Sequence, residues 1–150
     1  MVLVIRDASP EDLTALRDIF RRSSLSNPGD RSALLAHPDA LEFSPPADSD
    51  GRSRVAIAED GRVVGFATPV IARGVIELED LFVDPDWMGR GVGRALVADV
   101  VEIARNGGIR SIEVTANPHA MAFYERTGFV AGDEVETRFG PACRMRLPVA

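Results

Sequence analysis

The sequence predicts an α+β fold: a mixed sheet of about seven strands flanked by about four helices. Three observations predict it. Short alternating or β-branched segments recur at 2–6, 53–60, 62–72, 74–83, 110–116, 129–139 and 142–149. Helical patterns interrupt them at 9–24, 29–37, 91–105 and 118–128. The helix at 91–105 stands between two strand segments, and such a crossover places one parallel pair inside an otherwise antiparallel sheet. A mixed α/β sheet follows, not a doubly wound one.

Each element has a local cause. "VLVIR" at 2–6 is a short strand. In the helix at 9–24, Ser9 caps, Pro10 fits the first turn and Asp12 completes a capping-box pattern. Leu13, Leu16, Ile19 and Phe20 share one of its faces. The short helix at 29–37 ends before Pro38. From Pro38 to Arg54 the chain carries prolines, Gly51 and the acids Asp39, Glu42, Asp48 and Asp50, and reads as a long loop without a packing pattern. The strands at 53–60 and 62–72 are joined by Asp60-Gly61, a strong hairpin signal. Arg73-Gly74 turns the chain into a third antiparallel strand, 74–83. The helix at 91–105 is apolar nearly all round, which predicts burial, and "NGG" stops it. Ile112, Val114 and Ala116 fall on one side of the next strand, and Asn117 precedes Pro118 as the cap of the last helix. No repeat or low-complexity tract interrupts the chain.

Composition bounds the function. The 150 residues fit one domain, 1–150. A net charge of −6 argues against non-specific nucleic-acid binding and favours cationic partners. No apolar run approaches the roughly 20 residues of a membrane span, and the N-terminus does not read as a secretory signal. The single cysteine, Cys143, admits no internal disulfide, which suggests a reducing compartment and a cytoplasmic protein. His37 and His119 lie beside prolines, no spaced metal cluster exists, and no metal is expected.

The stretch "DPDWMGRGVGRALV" at 84–97 holds Gly89, Gly91 and Gly93 just ahead of a helix. A helix start presents unbonded N–H groups and the positive end of its dipole. Small residues let a phosphate approach those groups. The Walker pattern fails for want of Gly-Lys-Ser/Thr, and the dinucleotide fingerprint fails because its last glycine falls on Arg94 or Leu96. Alternatively, the glycines only turn a corner.

"ELEDLFVDPDWMGRGVGRAL" (77–96) resembles the acetyl-CoA-binding motif of the GNAT acyltransferase superfamily, in which a strand leads to Q/R-x-x-G-x-G/A. "VTANPHAMAFYERTGF" (114–129) resembles that superfamily's second signature, a strand ending in Asn and a helix carrying a tyrosine before Gly-Phe. The order of elements is also the superfamily's. The resemblance implies acetyl-CoA as co-substrate, in a wedge between the strands at 75–83 and 110–116. Its pantetheine arm would pair with backbone at Leu81, Phe82 and Val83, as an added strand does. Its pyrophosphate would sit on the N–H groups of Gly89, Arg90, Gly91, Val92, Gly93 and Arg94, and Asn117 and Phe123 would also bind the cofactor. Met88 departs from the pattern: it stands at the Q/R position and forms no strong hydrogen bond.

The implied activity is direct transfer of an acetyl group to a primary amine. Such transfer needs a proton removed from the amine and an acid for the leaving thiolate. Tyr124, the only tyrosine, stands where the superfamily has its thiolate-protonating tyrosine. For the base, Glu77 matches the family's "E-L-x-x-L" glutamate. Glu79 shares its face if the strand is regular, and a bulge would break that parity. Glu113 and a water chain are further options, and each carboxylate taken alone reads first as an exposed surface group. The acceptor is a small amine in preference to a peptide, because the acidic loop could cover a small pocket. A homodimer is usual in the superfamily. Two other functions share these motifs: a non-catalytic acyl-CoA sensor, and a nucleotide-binding protein using the same loop.

Overall fold

The computed structural model describes residues 2–42 and 53–150. Its strands are β1 (Val4–Asp7), β2 (Arg54–Ile57), β3 (Val63–Ala72), β4 (Val75–Val83), β5 (Ser111–Ala116), β6 (Val130–Thr137) and β7 (Gly140–Pro148). Its helices are α1 (Leu13–Leu25), α2 (Pro28–Ala36), α3 (Val92–Asn106) and α4 (Met121–Arg126). The seven strands form one sheet in the order β1-β2-β3-β4-β5-β7-β6. Every neighbouring pair is antiparallel except β4–β5, the parallel pair that the α3 crossover demands.

The turns follow their residues. Gly61 takes a φ of 86°, and Asp60 Oδ1 accepts from the Arg62 N–H at 3.0 Å, closing the β2–β3 hairpin. Arg73 and Gly74 both take positive φ at the β3–β4 turn.

Four elements differ from expectation, among them the last helix, expected at 118–128, which opens as a 3-10 turn, Pro118–Ala120, before α4. The first helical segment opens as a 3-10 turn, Pro10–Asp12, before α1. There the Ser9 N–H donates to Asp12 Oδ2 at 2.8 Å, and Arg6 of β1 grips both oxygens of that carboxylate. The stretch after Pro38 is not wholly irregular: Pro38–Leu41 forms a 3-10 turn that buries Leu41, as proline's preset φ permits. Asp48 and Asp50 lie outside the described residues. Finally, α3 is buried on one side only. Val92, Gly93, Leu96, Val97, Val100 and Ala104 face in, while Arg94, Ala98, Glu102 and Arg105 meet solvent.

Two apolar clusters cover the two faces of the sheet. On one, α3 packs over Ala56, Val64, Ile76, Leu78, Ile112 and Val114. On the other, Leu16 and Ile19 of α1 pack on Val55 and Phe66. The sheet is splayed at its one parallel pair. β4 and β5 pair only at Ile76–Ile112 and Glu77–Glu113, then separate, so among the described residues the edge of β4 facing β5 has no strand partner beyond Glu77.

Candidate active site

The separation of β4 from β5 opens a cleft of about 1100 Å³. Leu81, Phe82 and Val83 form one wall, and Asn117, Phe123 and Tyr124 form the other. Met88, Gly89, Gly91, Val92, Gly93 and Arg94 close its floor. Of the residues that the sequence proposed for the cofactor, only Arg90 is not on this lining. Its guanidinium lies 4.9 Å from the centroid of the Trp87 ring. Met88 is 58% exposed at the cleft's edge.

The three glycines have two different jobs. Gly89 and Gly91 take φ of 76° and 85°, and a Cβ on either would meet nothing within 4 Å. They turn the corner, Gly91 serving as the N-cap of α3. Gly93 has ordinary helical backbone, but a Cβ there would lie 3.0 Å from Phe123 Cζ. It allows close approach of α4. The first bond along α3 runs from the Ala95 N–H to the Gly91 carbonyl. The N–H groups of residues 91–94 therefore have no partner within the helix and stand at the cleft floor.

The turn before this loop is held by a residue that sequence reasoning missed. Asp84 is 3% exposed and accepts from the Asp86 N–H at 2.9 Å. Both of its oxygens also accept from Arg22 of α1, at 3.0 and 2.8 Å. The Arg22 guanidinium holds the Asp84 carboxyl below the usual carboxylate range.

Tyr124 is 7% exposed, packed edge-on against Phe123 and Phe129. Burial pushes its phenol well above the ordinary value, and the negative charge of Asp80 pushes the same way. The phenol is thus the protonated form across the physiological range. Asn117 does not cap the last helix with its side chain; its amide lies 3.3 Å from His119 Nε2.

The carboxylates separate. Register between β3 and β4 shifts between Thr68–Asp80 and Pro69–Leu78, leaving Glu79 as the extra residue of a bulge. Glu79 is exposed. Glu77 accepts from Arg144 at both oxygens, one at 2.9 Å, and Arg144 also donates to Glu113 at 3.3 Å and to Thr115 at 2.8 Å. None of Glu77, Glu79, Asp80 and Glu113 lines the cleft. The bulge instead puts Asp80 on the same face as Glu77 and Phe82, opposite Thr68. Asp80 is half-buried, and desolvation raises its carboxyl above the usual value while a hydrogen bond with Thr68 opposes that shift. Asp80 sits inside the quoted "ELEDLFV", but only a bulge puts it on the face of Glu77 and Phe82.

Among the described residues no group of three or more His, Cys, Asp and Glu side chains could hold a metal ion. Among the described residues no helix is long and apolar enough to cross a membrane. Cys143 is a half-buried free thiol of β7.

Known proteins share this architecture. The chain is 37% identical over 78 residues to glucosamine 6-phosphate N-acetyltransferase of Trypanosoma brucei brucei, covering 47% of this chain and 53% of that protein. It is 30% identical over 139 residues to mycothiol acetyltransferase of Nocardiopsis dassonvillei, covering 92% of this chain and 40% of that protein. The chain thus spans about half, or less, of the length of these curated relatives. The crystal structure of PaiA N-acetyltransferase from Thermoplasma acidophilum, in complex with coenzyme A, superposes with a TM-score of 0.75 at 19% identity, covering 99% of each chain. The model of the acetyltransferase (GNAT) family matches residues 13–129, from the start of α1 through the glycine loop to the residue after Gly128, and the chain belongs to that family.

Proposed function

We propose that the protein transfers the acetyl group of acetyl-CoA directly to the primary amine of a small acceptor. One observation carries the proposal: the wedge between β4 and β5 joins an unpaired strand edge, a helix start with free N–H groups and a buried neutral phenol in a single cleft. These parts fit acetyl-CoA. The free edge of β4 at Leu81–Val83 can pair with an amide-bearing arm as a strand would. The N–H groups of Gly91 to Arg94 can hold a pyrophosphate, with nothing to obstruct approach at Gly89 and Gly91. Because backbone supplies these contacts, Met88 in place of Gln or Arg removes only one side-chain donor.

Acetyl-CoA, when bound, supplies a thioester whose carbonyl carbon an amine can attack, with the thiol as leaving group. Tyr124 is the acid in this proposal: its hydroxyl gives a proton to the departing sulfur. Asp80, behind the cleft lining, is the base, taking through water the proton that the amine loses. The raised Asp80 carboxyl is a stronger base than an exposed aspartate and stands close enough for its charge to act on Tyr124. Glu77 enters as the anchor of Arg144, and Glu79 as the residue whose insertion aims Asp80. Residues 1–150 act as one acetyltransferase domain in this proposal, in a cytoplasmic setting suggested by the lone cysteine.

The test begins with melting temperature. Acetyl-CoA at ~100 times its dissociation constant adds roughly 2.7 kcal/mol of stability, and ATP and NAD add none. CoA release over a panel of amines follows. Tyr124→Phe is expected to lower kcat about 10²-fold or more, with the acetyl-CoA shift retained. Binding without release from any amine would make the protein an acyl-CoA sensor instead, and equal shifts with ATP or NAD would make the loop a general nucleotide site.

A further inference from the structure

Five carboxylates that the fold buries or half-buries each meet an arginine. Asp12 meets Arg6, Asp84 meets Arg22, Asp99 meets Arg54, and Glu77 and Glu113 share Arg144. Half-buried Asp80 meets a hydroxyl instead. Its cross-strand neighbour on β3 is the fully buried Thr68, in register opposite it. The hydrogen bond between them pulls the Asp80 carboxyl down, so Thr68 is the donor.

A threonine hydroxyl has one proton to give. Thr68 Oγ1 therefore accepts from its other polar neighbour, the Ser53 hydroxyl, at 2.8 Å. Ser53 is also buried and stands immediately before β2; its carbonyl accepts from the Ala8 N–H at 2.8 Å. The donors thus run one way, Ser53 to Thr68 to Asp80, from the start of β2 across β3 to β4. The neighbouring rung of the sheet, Val55, Phe66 and Phe82, is apolar and packs beneath α1. Valine would fill the space of Thr68 without the burial of a hydroxyl.

The choice of partner matters to a base. An arginine would hold Asp80 ionised and weaken its pull on a proton. A hydroxyl stabilises the carboxylate less, and it can accept from the protonated acid by turning its own proton away. It therefore serves a carboxyl that gains and loses a proton. We infer that Thr68 and Ser53 are positioning residues for Asp80: the paired hydroxyls hold its carboxylate in one orientation and leave it able to take up the proton of the amine. The inference rests on the acetyltransferase proposal.

The titratable groups that act on Asp80 are few. Glu79 lies beside it on β4, and Tyr124 of α4 feels its charge. β3 carries no charged side chain. On α1, which packs on this face, Arg22 is held by Asp18 and Asp84, and Arg17 and Arg21 are exposed. Glu125 and Arg126 of α4 are exposed as well.

The test follows the Asp80 carboxyl by carbon-13 NMR in the CoA complex, its resonance assigned by loss in Asp80→Asn. The pH profile of CoA release is recorded with the amine of the panel that turns over fastest. The base works ionised, so the rate rises with pH through the Asp80 titration. Thr68→Val removes the donor and is expected to move both the titration and the acid limb of kcat/KM up by about one pH unit, with KM for acetyl-CoA unchanged. Thr68→Ser should restore both. Ser53→Ala should move them the same way by less, and gives the reading if Thr68→Val does not fold. Variants that lower the melting temperature but leave titration and limb in place overturn the inference, as does Thr68→Ser behaving like Thr68→Val. An acid limb that survives Asp80→Asn places the base elsewhere. No release from any amine overturns the acetyltransferase proposal itself, a separate result.

Discussion

At the scale of single residues, Gly93 and Gly91 differ although three positions of one loop repeat the same letter. Gly93→Ala inserts a methyl group 3.0 Å from Phe123 Cζ, and overpacking of this kind costs roughly 1–3 kcal/mol. Gly91→Ala meets open space but must hold a φ of 85°, at a cost of about 1 kcal/mol. Gly91→Asn should cost less than Gly91→Ala, because Asn tolerates left-handed backbone. Chemical denaturation of the three variants checks this order. Asp80 shows the opposite trade. Its folded-state pKa is raised, so its contribution to stability is present below the unfolded value and is lost as pH rises through the carboxylate range. At neutral pH the buried charge destabilises the fold. Asp80→Asn is therefore expected to raise the melting temperature at pH 7 while lowering kcat, as function bought with stability requires. A variant that loses both would place Asp80 in the scaffold alone.

At the scale of elements, two aspartates tie α1 to what surrounds it. Asp12 joins its first turn to Arg6 of β1, and Asp84 joins Arg22, near its end, to the turn before the glycine loop. Both carboxyls are lowered by their arginines, Asp12 to about 2. The stability they contribute is present above the usual carboxylate value, near pH 4, and is lost as pH falls through their folded values. Denaturation from pH 5 to pH 2 should show the gap between wild type and Asp12→Asn closing toward about pH 2. Arg22→Met leaves Asp84 buried without its cation, a loss of roughly 1–3 kcal/mol. Because Asp84 also holds the Asp86 N–H, this variant is expected to weaken acetyl-CoA binding as well, and Arg22→Lys should restore part of it. Isothermal titration separates that effect from the fall in stability.

At the scale of the whole molecule, the site is a discontinuity in the sheet. Seven strands run from β1 to β6, and the one parallel pair, β4–β5, separates after two registered residues. Loops from both ends of the chain close over the opening: α1–α2 from one side, the β6–β7 turn from the other. The exposed Arg138–Asp39 pair joins them. Such a pair contributes little to global stability, so Arg138→Ala should leave the melting temperature nearly unchanged. It should, however, speed amide exchange at the β6–β7 turn, as read by hydrogen–deuterium exchange.

Local chemistry in the sequence determined the elements and their order. Period-two alternation marked the strands, Asp60-Gly61 and Arg73-Gly74 marked the hairpins, and the α3 crossover required one parallel pair. Both cofactor motifs were legible for the same reason: each is contiguous, and its residues act through backbone shape or short-range spacing. The tertiary structure decided what depends on partners distant in sequence. The bulge at Glu79 exists only in register with β3, so the sequence could not show that Asp80 shares a face with Glu77 and Phe82. Arg144 meets Glu77 across 67 positions, and Arg22 meets Asp84 across 62. The close approach of Phe123 to Gly93 likewise requires α4 to be docked on α3. A side chain's ionisation and partners are set by the neighbours that folding brings to it, and spacing along the chain does not record them.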